Sequence, residues 1–311
     1  MSDAELVQRL LESVGIKPSH VLSDDVARLE VHQNHVVGAH LVPGLEVDTT
    51  ERDDGIEAHL RLTPGARIER PIHLCFGMLP EKGLQRIVLE IDVEEDASAQ
   101  VLAHCTFPNA VEVEHRMDAR IRIAPGATYS YYERHVHGPG GGVEVIPHAT
   151  VELGEGARFK TVFELIKGRV GEMDIAYDAV CQARSVLEML ARVSASGTDK
   201  VRIHEKARLA GESARAALTT NIALRDDARA EVFNTIIADA PRARGHVDCK
   251  EIVQDRAVAK AVPIVEVNDP TAHVTHEAAI GSVDSKQLQT LLSRGLTEDE
   301  AVDLIIEGML S

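Results

Sequence analysis

The sequence has little with which to build a flat, aromatic recognition surface. Its 311 residues include no tryptophan, five phenylalanines and four tyrosines. Aromatic platforms line the grooves that bind single-stranded nucleic acid and sugars, so such a groove is not expected here. Positive charge is also scarce, because 33 lysines and arginines stand against 50 aspartates and glutamates, for a net charge of −17. A field of this sign repels phosphate backbones and anionic lipid, which argues against nucleic-acid and membrane partners.

Long apolar runs and clustered cysteines are missing as well. No stretch of about 18 apolar residues occurs, so no transmembrane helix is predicted. The first residues, MSDAELVQRLLESVG, are acidic and amphipathic, unlike the basic and then apolar start of a secretion signal. The cysteines are too far apart for a C-x-x-C pair and too few for a secreted disulfide scaffold; they are Cys75, Cys105, Cys181 and Cys249. We therefore expect a soluble, cytoplasmic protein with reduced thiols.

Common enzyme motifs are absent from the sequence. There is no G-x-x-x-x-G-K-[ST], so this chain is not expected to bind nucleotide phosphates. G-x-S-x-G and H-E-x-x-H are missing too, which leaves no visible hydrolytic nucleophile. A hydrolase acting on polysaccharide would need aromatic platforms beside paired carboxylates. The sequence therefore predicts a protein that is not an enzyme.

A period of about 30 residues organises the middle of the chain. Turn signals in which Gly or Asp precedes an alanine recur at steps of 31, 30 and 30 residues, at Gly65-Ala66, Asp96-Ala97, Gly126-Ala127 and Gly156-Ala157. Similar signals then follow at about half that step, at Ser213-Ala214, Asp227-Ala228, Ala243 and Ala257. Apolar residues alternate with polar ones between the turns, as in Ile87, Leu89, Ile91 and Val93. A period of two predicts strands with one buried and one exposed face.

This combination predicts a mainly β fold, a right-handed parallel β-helix or β-solenoid over residues 40–275. A β-sandwich with evenly spaced hairpins is the alternative that periodicity leaves open. Asn-Gly or Asp-Gly hairpin loops would favour the sandwich, and Asp54-Gly55 is the only such dipeptide.

Helical segments are predicted at both termini. Ser2 and Glu5 have capping-box spacing before an apolar stripe, which indicates a helical cap within residues 1–39. Two further helices are predicted at about 285–294 and 298–307, within a helical segment 276–311. Their apolar side chains exceed what one packed stripe needs, so part of this surface is expected to bind another chain.

Three segments could carry metal or sulfur chemistry. In AHCTFP, Cys105 faces the interior, where a small buried side chain is the ordinary interpretation. In GHVDCKE, Val247, Cys249 and Glu251 share one face, and a buried carboxylate beside a thiol needs a neutralising cation. The third segment is HVTHE, residues 273–277.

A fourth segment, HVH at 135–137, has spacing suitable for chelation on a strand. The Gly-rich GPGGG at 138–142 follows it directly and indicates a solvated loop, so no site is predicted there.

The tail HVTHEAAIGSVDSKQLQTLLSRGLTEDEAVDLIIEGML, with GHVDCKEIV and AHCTFP upstream in the same order, resembles the SufB/SufD family. Members of this family are β-solenoid scaffolds of the Suf iron–sulfur cluster assembly machinery. The short N-terminal part makes the chain similar in size to the compact, single-type (SmsB-like) scaffolds of minimal Suf systems. The resemblance implies a scaffold for a transient [4Fe-4S] or [2Fe-2S] cluster; the alternative is a SufD-like structural partner that aids iron entry and holds no cluster alone.

The resemblance also implies roles for individual residues. Cys249 is the expected cluster ligand, with His276 and Glu277 beside it, while Glu251, His246 and His273 are close enough in sequence to substitute. Cys105 is a candidate sulfur acceptor, from which sulfur passes through the solenoid interior towards Cys249.

Partners follow from the same resemblance. They are a second copy of the chain, a sulfur donor, recipient apoproteins and a SufC-type ATPase that binds the ATP. Residues expected to bind the ATPase lie on the C-terminal helices; they are Leu288, Leu291, Leu292, Arg294, Leu304 and Ile305.

Overall fold

The computed structural model describes residues 2–311, which form three α-helices, a short 3-10 turn at Pro18–His20 and nineteen strands. The helices are α1 (Asp3–Ser13), α2 (Ser285–Leu292) and α3 (Glu298–Leu310). The strands, in chain order, are β1 (Arg28–His32), β2 (His35–His40), β3 (Leu45–Arg52), β4 (Gly55–Leu62), β5 (Ile72–Gly77), β6 (Lys82–Val93), β7 (Ser98–Phe107), β8 (Glu112–Ile123), β9 (Thr128–His137), β10 (Val143–Leu153), β11 (Arg158–Lys167), β12 (Gly171–Cys181), β13 (Val186–Ala195), β14 (Lys200–Leu209), β15 (Arg215–Leu224), β16 (Arg229–Ala238), β17 (Arg244–Val253), β18 (Val258–Val267) and β19 (His273–Gly281).

The strands build two facing sheets of a β-solenoid. One sheet has the order β19-β17-β15-β13-β11-β9-β7-β5-β1-β2, and the other β18-β16-β14-β12-β10-β8-β6-β4-β3. From β4 onwards each strand pairs in parallel with the strand two positions along, so the chain crosses from one sheet to the other and winds about eight turns. The predicted mainly β solenoid is confirmed, and the antiparallel sandwich alternative is excluded.

The corners of the coil explain the period seen in the sequence. Backbone φ is positive at the corner residues Gly65, Asp96, Gly126, Gly156, Ser213, Asp226 and Asp255. Gly and Asp tolerate this left-handed conformation best. The alanines that follow at most of these corners are buried, because the tight turn leaves room for little more than a methyl group. The half-period steps late in the chain arise because each turn has one such corner per sheet.

The N-terminal end of the coil is covered. The pairs β1/β2 and β3/β4 are antiparallel, and Asp54-Gly55 lies in the turn between β3 and β4. The predicted capping box of Ser2 and Glu5 forms, and α1 buries its apolar stripe against this end. Strand structure begins at Arg28, inside the segment expected to be a helical cap, because alternating apolar residues of β1 pair with β5.

The C-terminal helices pack on the outer face of the first sheet. In α3, Val302, Ile306 and Leu310 contact Ala223 of β15 and neighbouring side chains. The strands continue to Gly281, beyond the expected boundary at 275, and α3 continues past Gly308 because Leu310 is part of this contact. No helix within residues 2–311 has the length and apolar character needed to span a membrane.

The other end of the coil is uncovered. Strands β18 and β19 lie at the sheet edges, each with a neighbour on one side. Most of their residues are exposed, including a set of large apolar side chains: Val258, Ile264, Val265, Val267 and Ile280. We call β18 and β19 the terminal turn.

Candidate functional site

Cys249 lies one turn inside this open end. It is on β17, with its side chain buried in the interior together with Val247 and Glu251, as the alternation predicts. The Asn234 side-chain amide, from β16, lies 3.7 Å from the Cys249 sulfur and donates to Thr220 Oγ1 at 2.9 Å. Burial, with the nearby Glu251 carboxylate adding to it, raises the pKa of the Cys249 thiol to about 12.

Glu251 is the acid that shares the face of Cys249. Its carboxyl group is buried, and neither oxygen has a hydrogen-bond partner among the described residues. Burial, with a smaller effect of Asp248, raises the pKa of Glu251 to about 7. Leaving such a group unpaired is costly, so a cation between the thiol and the carboxylate would be stabilised here.

His276 and Glu277 lie on β19, next to β17, and face opposite ways. Val247 is in register with His276, and Asp248 with Glu277. Residues in register on adjacent strands point to the same side of a sheet. His276 is therefore on the inner face with Cys249, one pleat along, whereas Glu277 is on the outer face beside Asp248 and Lys250. Within one chain the structure brings His276, but not Glu277, to the face of Cys249.

The alternative ligands His246 and His273 also lie on the outer face. His246 Nδ1 is 2.8 Å from Thr275 Oγ1, and His273 is in register with the exposed Arg244. Of the substitutes that sequence proximity allowed, Glu251 is the one on the face of Cys249.

A second cluster of potential ligands surrounds Cys105. Cys105, His115, Glu133 and His135 each place one ligand atom within 4.8 Å of the others, and all four side chains are buried. Among residues 2–311 this is the one group of three or more such side chains close enough to hold an ion. We call it the interior tetrad.

Strand register assembles the interior tetrad. In the first sheet, Cys105 of β7 is in register with His135 of β9, and Glu133 is one pleat along on the same inner face. His115 approaches from β8 in the facing sheet. His135 Nε2 lies 2.7 Å from Glu133 Oε1, which is 3.9 Å from the Cys105 sulfur.

Burial sets the protonation of the interior tetrad. It lowers the pKa of His115 and of His135 to about 3, and raises the pKa of Glu133 to about 7. It also raises the pKa of the Cys105 thiol well above its usual value. At neutral pH both imidazoles are therefore neutral, as metal coordination requires.

The prediction of a solvated loop at 135–137 is wrong. His135 and His137 are buried residues of β9, and the loop begins after them. The missed signal was the period of two in Tyr129, Tyr131, Glu133, His135 and His137, which places all five on the inner face. Sequence reasoning therefore missed His115, Glu133 and His135.

Buried polar groups also occupy the interior between the two thiols. Tyr177 of β12 is close enough to Glu133 and Glu205 for both to influence its pKa, and Glu205 similarly influences Cys249. Cys105 and Cys249 are five turns apart, which at about 4.8 Å per strand spacing is about 24 Å.

The residues expected to bind an ATPase divide into two groups. Leu292, Arg294 and Leu304 are exposed, whereas Leu288 and Ile305 pack against the cluster that attaches α3 to the solenoid. Leu291 is half-buried.

The fold and these sites define a class of protein: a β-solenoid with soft and borderline metal ligands in its interior. Residues 81–309 match the family model described as SUF system FeS cluster assembly, SufBD core domain. The chain therefore belongs to the SufBD family of iron–sulfur cluster assembly proteins, and the resemblance noted from the sequence is confirmed.

Full-length relatives support the assignment. An iron–sulfur cluster assembly SufBD family protein of Methanocaldococcus jannaschii is 36% identical over 100% of this chain and 99% of its own length. One of Pyrococcus horikoshii is 32% identical over 100% of this chain and 94% of its length. The SufB protein of Bacillus subtilis is 31% identical over 72 residues, 23% of this chain and 16% of that protein. The similarity over whole chains is thus to compact members of the family.

Proposed function

We propose that the protein is a scaffold on which a [4Fe-4S] or [2Fe-2S] cluster is built between two copies of this chain, in complex with a SufC-type ATPase. The observation that carries the proposal is the unpaired Glu251 carboxyl group beside the buried Cys249 thiol, one turn from the open end of the solenoid. Thiolate and imidazole are good ligands for cluster iron, and a carboxylate is a hard ligand that suits a cluster due to leave.

Two copies are needed because one chain offers too few ligands. Cys249 and His276 share a face, and clusters usually have four protein ligands. A two-fold contact through the terminal turn would double the set and cover the exposed apolar side chains of β18 and β19.

The acidic ligand is the open question at this site. Glu251 shares the face of Cys249, whereas the predicted ligand Glu277 is on the other face of the sheet. Comparing Glu251→Gln with Glu277→Gln decides between them, because each change removes one negative charge at nearly constant shape.

Cys105 is the proposed sulfur acceptor. Its thiolate would attack the outer sulfur of a donor persulfide, whose S–S bond breaks and whose thiolate leaves, so that Cys105 becomes a persulfide. The thiol is buried, so transfer requires an opening near β7. The polar side chains between Cys105 and Cys249 support a route through the interior over the remaining distance of about 24 Å.

Anaerobic reconstitution with iron and sulfide tests the scaffold. We expect thiolate-to-iron absorption in the native protein, strongly reduced in Cys249→Ser and His276→Ala and unchanged in Cys181→Ser, which alters a buried thiol outside both sites. Unchanged cluster loading in Cys249→Ser would overturn the proposed site. Cys105→Ser is expected to load with inorganic sulfide but not with an enzyme-bound persulfide as the sulfur source.

The ATPase contact is tested by size-exclusion chromatography with the partner. Leu292→Asp and Leu304→Asp are expected to weaken the complex, whereas Leu84→Asp is not. Leu84 is a matched control because it is 39% exposed, as is Leu292, and lies on the distant strand β6. A complex that forms only after a second type of scaffold chain is added would favour the alternative of a SufD-like structural partner.

A further inference from the structure

The geometry points to a second site: we propose that the interior tetrad binds one divalent transition-metal ion, separately from the cluster site at Cys249. The four potential ligand atoms of Cys105, His115, Glu133 and His135 lie within 4.8 Å of one another. In a tetrahedral site with bonds of about 2.0–2.3 Å, ligand atoms are about 3.5 Å apart. Small side-chain movements therefore suffice to close the site around an ion.

Two atoms of the interior tetrad have no hydrogen-bond partner. His115 Nε2 and Glu133 Oε2 are buried and unpaired. An unpaired buried polar atom costs about 1–3 kcal/mol, and native interiors contain few of them. A metal ion within reach of both would supply the missing interaction.

Hydrogen bonds outside the tetrad orient both imidazoles for coordination. Gln85 Nε2 donates to the backbone carbonyl of Gln33 at 2.7 Å, so its Oε1 is free to accept from His115 Nδ1 at 3.0 Å. His115 Nε2 is then left with its lone pair facing the site. This is the arrangement by which metal-binding histidines are usually held.

The same logic fixes His135. The backbone carbonyl of Arg169 accepts from His137 Nδ1 at 3.2 Å, which leaves His137 Nε2 to accept from His135 Nδ1 at 3.1 Å. His135 Nε2 therefore carries a lone pair and lies beside Glu133. Two buried imidazoles from facing sheets thus present unprotonated Nε2 atoms to one point.

Charge and ligand type select the ion. A thiolate and a carboxylate carry two negative charges, so a divalent ion makes a neutral buried site with two neutral imidazoles. On binding, the ion replaces the protons of Cys105 and Glu133, which are released to solvent. Sulfur and nitrogen ligands favour Fe²⁺ or Zn²⁺ over Mg²⁺ and Ca²⁺. This inference rests on the geometry of the tetrad and holds whether or not Cys105 accepts sulfur.

Cobalt titration of the reduced, metal-free, full-length protein under anaerobic conditions tests the site. We expect one Co²⁺ per chain, with a thiolate-to-cobalt charge-transfer band and the intense visible bands of tetrahedral cobalt, displaced by Zn²⁺ and by Fe²⁺. Cys105→Ser should lose the charge-transfer band, and His115→Gln and His135→Gln should weaken binding at least tenfold.

Two controls bracket the tetrad, and a third variant separates it from the cluster site. His104→Gln changes the neighbour of Cys105 on the outer face, and Cys181→Ser removes a buried thiol elsewhere, so both should keep the native cobalt spectrum. Cys249→Ser should also keep it while losing cluster loading. Failure of this site and failure of the proposed cluster scaffold are therefore distinguishable.

The proposal is overturned if Co²⁺ does not bind stoichiometrically, or if the charge-transfer band survives Cys105→Ser or disappears in Cys249→Ser. Should the histidine variants not fold, X-ray absorption of zinc-loaded Cys249→Ser protein gives the answer without them. One sulfur and three nitrogen or oxygen ligands are expected, and a first shell without sulfur contradicts the assignment.

Discussion

At the scale of single residues, burial decides the charge of the solenoid interior. It raises the pKa of Glu205 to about 8 and the pKa of Glu251 to about 7, because a carboxylate loses its hydration inside the coil. It lowers the pKa of His137 to about 3 for the same reason. The interior of this acidic protein is thus nearly uncharged at neutral pH unless a cation enters.

Glu205 makes the stability of the protein depend on pH. Below about pH 4.5 the group is protonated in both the folded and unfolded states, so it contributes no pH dependence. Between about pH 4.5 and 8 the unfolded chain loses this proton while the folded protein keeps it, and the free energy of unfolding falls. We expect Glu205→Gln to gain about 3 kcal/mol of stability relative to the native protein between pH 5 and pH 8.

Urea denaturation at a series of pH values measures this difference. Contributions from Glu133 and Glu251 are common to both proteins and cancel. A difference in stability that is the same at pH 5 and pH 8 would show that Glu205 is not held protonated by burial.

The residue scale also shows where prediction from the sequence stopped. The shared face of Cys249 and Glu251 follows from a period of two within one strand and was predictable. The partner across the sheet was not, because a turn of 29 residues places Ala278 opposite Cys249, whereas a turn of 28 would place Glu277 there. A repeat known only to be about 30 residues cannot fix register, and a slip of one residue moves a side chain to the other face.

At the scale of elements, the corners hold the strands in register. The turn positions were predictable because left-handed backbone favours Gly and Asp and because a buried alanine follows at most of the corners. The covering of the ends was predictable in part. Capping boxes fixed the helix starts, but the surface on which α3 packs depends on side chains that are distant in sequence.

Two glycines separate backbone strain from steric conflict. Gly142 and Gly156 both have positive φ, but a Cβ at Gly142 would lie 2.4 Å from the backbone oxygen of Val111, while a Cβ at Gly156 would meet nothing within 4 Å. We expect Gly156→Ala to cost about 1 kcal/mol, from the left-handed backbone alone. Gly142→Ala should cost about 3 kcal/mol, because crowding against β-strand backbone is added.

Equilibrium unfolding of the two variants checks this comparison. Equal losses of stability would mean that the loop carrying Val111 moves freely away, and that the corner before β10 does not hold it in place.

At the scale of the whole molecule, net charge and exposed apolar surface act in opposite directions. Two copies with a net charge of −17 each repel one another. The terminal turn nevertheless exposes apolar side chains and free strand edges, which proteins ordinarily cover. If copies associate through this end, added salt should strengthen the dimer by screening the repulsion.

A pair of matched valines tests association through the terminal turn. Val265, on β18 of the terminal turn, is 38% exposed, and Val88, on β6 near the covered end, is 37% exposed. Val265→Asp places a charge where the second copy is proposed to pack, so we expect light scattering to show a shift from dimer to monomer, with cluster loading lost together with the dimer. Val88→Asp adds the same charge to the same total and should leave the mass unchanged, which separates a local contact from general repulsion. A dimer that persists in Val265→Asp, or dissociates equally in both variants, would place the contact elsewhere and leave Cys249 without a second set of ligands.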